Sequence, residues 1–326
     1  MKLGKVYVTR RIPDAGLNLI LERTDARVNP HDRVLTRREL LREIRGMDGL
    51  VPLLTDPIDG AVMDAAGPQL KVIANYAVGF NNIDVAAATA RKIPVTNTPG
   101  VLTETTADLA WTLLMAVARR IVESDRFTRA GKFKGWGPMM FLGHDVYGKT
   151  LGIVGFGRIG QAAARRAAGF GMKILAFDPR PDGSAADQLG AHLVDLPTLL
   201  RESDFITLHT LLTPETTHLI GENQLRSMKP TAIIVNTSRG PVIDEKALVK
   251  ALKSGWIGGA GLDVYEHEPR LAAGLNKQWN AVVVPHIASA TIETRSKMAE
   301  IAAANLIAAL EGKHPPNVVN PEIYNA

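Results

Sequence analysis

Three glycines and three polar side chains stand out in this sequence by type and spacing. Gly155, Gly157 and Gly160 keep a G-x-G-x-x-G spacing, directly after the apolar run Leu151-Gly152-Ile153-Val154 and before a helical segment with small residues at Ala163, Ala167 and Ala168. Strand, tight glycine turn and helix in that order can hold a dinucleotide. Gly155 permits the turn, Gly157 lets a pyrophosphate reach the backbone, and Gly160 lets the helix close on the strand. The helix N-terminus then offers free N–H groups and a partial positive charge to the phosphates. Lys173 to Phe177 reads as the second strand and ends at Asp178, where a carboxylate accepts hydrogen bonds from ribose hydroxyls.

The polar three are Arg239 in Asn236-Thr237-Ser238-Arg239-Gly240, Glu268 in Asp263-Val264-Tyr265-Glu266-His267-Glu268-Pro269, and His286 in Pro285-His286-Ile287-Ala288-Ser289. Each follows an apolar run that reads as a strand, and in an open α/β sheet chemistry gathers just past strand ends. Singly, each has an ordinary explanation: a surface ion pair for the arginine, a structural role for the histidine. Three of them past successive strands of a dinucleotide domain point to a site.

The elements that must position these residues alternate along the whole chain. Lys5–Thr9, Gly49–Leu54, Lys71–Ala77 and Ile93–Asn97 read as strands, with helices opened by Pro13, capped by Thr36 and Asp59, and running over Ile83–Arg91. After the break at Pro99-Gly100 a long helix starts at Thr103-Glu104. It is apolar nearly all round from Ala107 to Val122, which predicts burial against the other domain or another subunit. The loop from Ala130 to Gly148 carries Trp136, Met139, Met140 and Phe141, an apolar set that predicts a contact between subunits. Strands at Asp204–His209, Ala232–Asn236, Gly258–Val264 and Ala281–Val284 follow, then a last helix over Ile292–Leu310. This alternation implies parallel sheets with right-handed crossovers.

Composition narrows the class. With 326 residues, 46% hydrophobic and 22% charged, the chain suits a two-domain globular protein. The absence of cysteine excludes a disulfide framework and a thiol nucleophile. A net charge of +5 is spread without any nucleic-acid-binding motif, so it reads as a mildly basic surface that attracts small anions. No signal pattern and no apolar run of about 18 residues appears, and the expectation is a cytoplasmic protein with no membrane partner.

The chain resembles the D-isomer-specific 2-hydroxyacid dehydrogenase family, and most its glyoxylate/hydroxypyruvate reductase branch. The carrying residues are Asn75-Tyr76-Ala77-Val78-Gly79-Phe80-Asn81-Asn82-Ile83-Asp84, Asn97-Thr98-Pro99-Gly100, Thr105-Thr106-Ala107-Asp108, the glycine fingerprint, and the three motifs around Arg239, Glu268 and His286. The resemblance implies two Rossmann-like or flavodoxin-like α/β domains with parallel sheets and an active site in the cleft between them. Residues 1–99 and 288–326 would form the substrate-binding domain, and 100–287 the dinucleotide-binding domain. It further implies His286 as general acid, Glu268 as its partner, and Arg239 as the clamp on the substrate carboxylate. The backbone N–H groups of Val78 and Gly79 would receive that carboxylate, with Leu53 (and Leu54) as an aliphatic wall. Thr106, Arg158, Ile159, Thr237 and Asp263 would join the glycines and Asp178 at the coenzyme, without a metal. The implied partners are a small 2-oxo acid and a second copy of the chain in a homodimer, without nucleic acid.

Phosphite dehydrogenases carry a lysine in the position of Val78, and formate dehydrogenases a glutamine in that of Glu268, and neither exchange is present. Reductases of 2-ketogluconate, 3-phosphoglycerate dehydrogenases and non-enzymatic dinucleotide-sensing corepressors share the same pattern and stay open as alternatives. For the coenzyme, Asp178 favours NAD(H), since its charge would repel a 2′-phosphate. Arg180 could reach such a phosphate and leaves NADP(H) open, with Asp182 as a competing partner for that arginine.

Overall fold

Val6 and Val8 turn to one side of their strand and Tyr7 to the other, and all three are buried, so the sheet that holds them is covered on both faces. The computed structural model describes residues 2–324. The chain divides into two units, Met1–Leu102 with Ala290–Ala326, and Thr103–Ser289.

Unit 1 runs β1 (Lys5–Val8), α1 (Asp14–Arg23), β2 (Asp25–Val28), α2 (Arg37–Glu43), β3 (Gly49–Val51), α3 (Gly60–Ala66), β4 (Val72–Ala74), α4 (Val85–Ala90) and β5 (Val95–Thr96). Its sheet is parallel in the order β2-β1-β3-β4-β5. The helices start where side chains can satisfy their first N–H groups. Thr36 and Glu39 form a reciprocal capping box on α2, and Asp59 and Asp84 accept from Val62 and Ala87 on α3 and α4. The C-terminal helix Ile292–Leu310 returns to this unit and crosses α1 closely: a Cβ on Gly16 would lie 2.1 Å from the carbonyl oxygen of Ala299.

Unit 2 runs α5 (Thr103–Ala118), α6 (Ile121–Arg129), β6 (Thr150–Val154), α7 (Arg158–Ala168), β7 (Lys173–Phe177), α8 (Gly183–Gln188), β8 (Ala191–Leu193), α9 (Leu196–Glu202), β9 (Phe205–Leu208), α10 (Glu222–Ser227), β10 (Ile233–Asn236), α11 (Glu245–Ser254), β11 (Gly259–Leu262) and β12 (Ala281–Val283). Its parallel sheet has the order β12-β11-β10-β9-β6-β7-β8. The chain moves outward from β6 to β7 on one side and reverses to β9 on the other. The carboxyl ends of β6 and β9 therefore flank the switch point, where such sheets open a crevice.

Several elements differ from the expectations. The long helix breaks at Arg119-Arg120, where Arg120 adopts a left-handed φ of 52°. The buried face of its first part, α5, packs inside its own unit. Gly259 and Gly261 on β11 make the room, because a Cβ there would meet Val117 at 2.5 Å and Leu113 at 2.9 Å. Trp111 stacks on Phe170 and donates to the Ala163 carbonyl of α7. On α7 the buried small face includes Ala163, Ala164 and Ala167, while Ala168 is exposed. The strands are shorter than the apolar runs, so that Leu53 and Leu54 fall in a turn after β3. The edge strands β2 and β8, and helices α8, α9 and α10, went unforeseen because short polar segments carry little periodicity.

Candidate active site

The glycine turn after β6 is shaped by contacts that exclude side chains. Gly155 has a φ of 93°, and a Cβ there would lie 2.7 Å from the His209 carbonyl carbon at the end of β9. A Cβ on Gly160 would lie 2.1 Å from the Gly155 carbonyl oxygen, whereas one on Gly157 would meet nothing within 4 Å. The turn is thus tight at its two ends and open in the middle. No side chain caps the N-terminus of α7, which leaves its first N–H groups for an anion. Asp178 follows β7, and its two carboxylate oxygens accept from the N–H groups of Phe156 and Arg180, each at 2.8 Å. Those bonds hold the carboxylate beside the glycine turn with lone pairs to spare for ribose hydroxyls. Open glycine, uncapped helix and fixed carboxylate together fit a dinucleotide. Arg158 and Ile159 open α7 at this turn. Thr106 is buried on α5, and the Thr237 hydroxyl is buried without a protein partner among the described residues. Asp182 caps α8 by accepting from Ala185 and forms no ion pair with Arg180, which corrects the competition expected for that arginine. His209, buried beside the turn with Nε2 3.0 Å from the Thr207 hydroxyl, has its pKa pushed down to about 4 by burial.

Arg239, Glu268 and His286 come together at the carboxyl ends of β10, β11 and β12. Asn236 shapes the first turn, donating to the Arg239 carbonyl at 2.9 Å and accepting from the Ser238 N–H and hydroxyl. The guanidinium donates to the Ser238 carbonyl at 2.7 Å and is held mostly away from water; burial lowers its proton affinity and the charge of Glu268 restores part of it. His286 Nδ1 lies 3.0 Å from Glu268 Oε2, with side-chain exposures of 26% and 32%, so the pair is fixed yet reachable. Burial would raise the Glu268 carboxyl. The hydrogen bond and charge of His286, the Tyr265 N–H at 3.2 Å and the charge of Arg239 outweigh it and leave that pKa below the ordinary value.

Sequence reasoning missed what holds the histidine. His286 has a φ of 53°, a left-handed backbone that is uncommon outside glycine and recurs at functional sites. Its N–H donates to the Asp263 carbonyl, and the Asp263 carboxylate accepts from Ile287 at 2.6 Å and Ala288 at 2.9 Å. Asp263 thus reaches the loop carrying His286, with burial raising its own pKa against those bonds and the charge of His286. The Tyr265 hydroxyl donates to the Val284 carbonyl at 2.6 Å and ties the two segments again. Burial, then the charges of Asp263 and Glu268, pushes that phenol up to about 12.

Leu53, Val78 and Gly79 lie in unit 1, in two adjoining turns after β3 and β4. Asn82 donates to the carbonyls of Leu53 and Asp56, Asn75 to that of Gly79 and Asn97 to that of Val78, all between 2.8 and 3.2 Å. Asp56 accepts from the Leu53 N–H and the Thr9 hydroxyl. The Val78 and Gly79 carbonyls are thus both engaged by asparagine side chains. Leu53 is half-buried while Leu54 is exposed.

Among the described residues no cluster suited to a metal ion occurs, and no helix is long and apolar enough to cross a membrane. Comparison with known proteins gives concordant results. The chain is 57% identical over 321 residues to the glyoxylate reductase of Korarchaeum cryptofilum, covering 98% of this chain and 96% of that one. A glyoxylate reductase of Paecilomyes thermophila superposes with a TM-score of 0.86 at 34% identity, over 98% of each chain. The NADPH-dependent glyoxylate/hydroxypyruvate reductase of Sinorhizobium meliloti, solved with NADP and malonate, gives 0.85 at 31%, over 97% of this chain and 96% of that one. The profile described as "D-isomer specific 2-hydroxyacid dehydrogenase, NAD binding domain" matches residues 111–288. With the dinucleotide turn and the histidine–carboxylate–arginine group in that same stretch, the chain belongs to the D-isomer-specific 2-hydroxyacid dehydrogenase family.

Proposed function

We propose that the protein reduces a small 2-oxo acid of the glyoxylate or hydroxypyruvate kind to the D-2-hydroxy acid, with His286 and Glu268 as the acid–base pair and Arg239 as the carboxylate clamp. The observation that carries this reading is the 3.0 Å contact of His286 Nδ1 with Glu268 Oε2 within reach of the charge of Arg239. A nicotinamide dinucleotide, when bound, supplies the hydride. Charge then develops on the substrate's carbonyl oxygen, and Nε2 of His286, the nitrogen turned away from Glu268, gives that oxygen a proton. Glu268 fixes the ring through its contact with Nδ1. Arg239 meets the substrate carboxylate through its planar fork, and the N–H groups of Val78 and Gly79 add donors of their own.

The test is purified protein with reduced nicotinamide dinucleotide and a panel of 2-oxo acids, followed by loss of the reduced coenzyme's near-ultraviolet absorbance. Turnover with glyoxylate or hydroxypyruvate is expected. No oxidation with any 2-oxo acid, with the dinucleotide still bound, would instead support a dinucleotide-sensing protein without activity.

The coenzyme of this reading is NAD(H), because the fixed Asp178 carboxylate accepts ribose hydroxyls and repels a 2′-phosphate. The Sinorhizobium meliloti relative is described as NADPH-dependent, which makes the choice a sharp one to test. Asp178→Ser is expected to move the NADH/NADPH ratio of kcat/KM about tenfold toward NADPH; a wild type that prefers NADPH would show that Arg180 outweighs the aspartate. The oligomer of this reading is a homodimer, since Trp136 and Met139 are 85% and 77% exposed on one loop. A monomer by sedimentation at micromolar concentration would end that assignment.

A further inference from the structure

Glu268 and Arg239 stand on separate segments, and the acid–base reading needs those segments held against one another. Gly240, next to Arg239, lies so close to the strap leading to Glu268 that a Cβ there would be 1.8 Å from the Tyr265 carbonyl and 2.4 Å from the Glu266 nitrogen. Turn and strap therefore touch backbone to backbone. His218 joins the same two segments from a third. Its N–H donates to the Pro241 carbonyl at 2.7 Å, and its Nε2 lies 2.8 Å from Glu266 Oε1. Its backbone is left-handed, with a φ of 51°, as that of His286 is. The other Glu266 oxygen accepts the Glu245 N–H at 3.3 Å, and the buried Glu245 carboxylate faces the N–H groups of Glu266 and Ala272 in return. Glu266, with its side chain only 18% exposed, is thus tied from two sides just two residues before Glu268.

We propose that His218 and Glu266 form a second histidine–glutamate pair that positions the first, locking the strap onto the Arg239 turn and so setting Glu268 against His286. The inference rests on the acid–base reading above. Cutting the pair loosens Glu268 from the Tyr265 N–H and from His286 but leaves the glycine turn untouched, so turnover suffers while coenzyme binding does not.

The experiment compares Glu266→Ala, Glu266→Gln, His218→Ala and Glu268→Gln by kcat, coenzyme affinity, thermal midpoint and the acid limb of the rate–pH curve with glyoxylate. Glu266→Ala is expected to lose about 10- to 100-fold in kcat, the scale of a misplacement of about an ångström, with coenzyme affinity kept. Its acid limb should move upward, because Glu268, faced by His286, Arg239 and Asp263, loses contacts that keep it ionised. Glu266→Gln keeps one acceptor oxygen, enough for His218 or for the Glu245 N–H but not for both, and its kcat should fall between wild type and Glu266→Ala. His218→Ala, which leaves Glu266 in place, should move in the same direction as Glu266→Ala. Wild-type kcat and an unmoved acid limb in both alanine variants overturn the inference, as does a loss that follows only the unfolded fraction. If Glu268→Gln is inactive in that case, the acid–base reading still stands; a fully active Glu268→Gln overturns that reading itself.

Discussion

The turn after β4 in unit 1 and the segments after β10, β11 and β12 in unit 2 occupy the same kind of place, the carboxyl end of a parallel strand, yet they are built from opposite materials. In unit 1 the turn is shaped by Asn75, Asn82 and Asn97, neutral amides that donate to backbone carbonyls. In unit 2 the same locations carry Arg239, Asp263, Glu268 and His286, all ionisable and coupled by charge. Fixed dipoles can receive a carboxylate without changing state, whereas moving a proton requires a group that titrates. On the proposed reading, topology sets where the groups gather, and side-chain chemistry separates a binding turn from a reacting one.

That contrast breaks first at His286. His286→Ala should lower turnover by about 10²–10⁴, the usual contribution of a placed acid–base group, while fluorescence titration shows the coenzyme still bound. An undiminished rate would remove the histidine from the chemistry. Arg239→Lys keeps the charge but loses the fork, and about 10- to 150-fold in kcat/KM is expected, the worth of a hydrogen bond to a charged group. Unchanged steady-state constants would mean that the carboxylate is held elsewhere.

The acid side of the rate–pH curve sharpens the comparison. Because the Glu268 pKa lies below its ordinary value, the carboxylate persists as pH falls past the ordinary glutamate value of about 4.3. The pair's contribution is present above that value and disappears only as pH drops through the depressed one. A midpoint above the ordinary value, read from kcat/KM, would contradict the assignment. Unit 1 should answer most mildly, and in KM. Asn82→Ala removes donors to Leu53 and Asp56 and should raise the oxo-acid KM about fivefold, near the worth of one neutral hydrogen bond, with kcat little changed. A fall in kcat instead would erase the division between binding turn and reacting segments.

Much of this was legible along the chain. The glycine spacing, the strand Lys173–Phe177 and the last helix Ile292–Leu310 fall where periodicity and capping residues place them. Arg239, Glu268 and His286 were singled out because each follows an apolar run. The burial of α5 was legible, but the surface of its own unit that covers its buried face was not, since an all-round apolar helix says that it is covered but not by what. The covering surface depends on Gly259 and Gly261, more than a hundred residues away in the chain.

Local rules thus determined most of the longer elements, the dinucleotide turn and the identities of the candidate site residues, because backbone preference, capping and apolar periodicity act over a few residues at a time. Only the tertiary structure decided that His286 meets Glu268, 18 residues away, that Asp263 and Tyr265 hold the histidine's loop, and that His218 reaches Glu266 across 48 residues. Such contacts follow from how strands order themselves in a sheet and how closely segments can pack, and no neighbour in the chain carries that information.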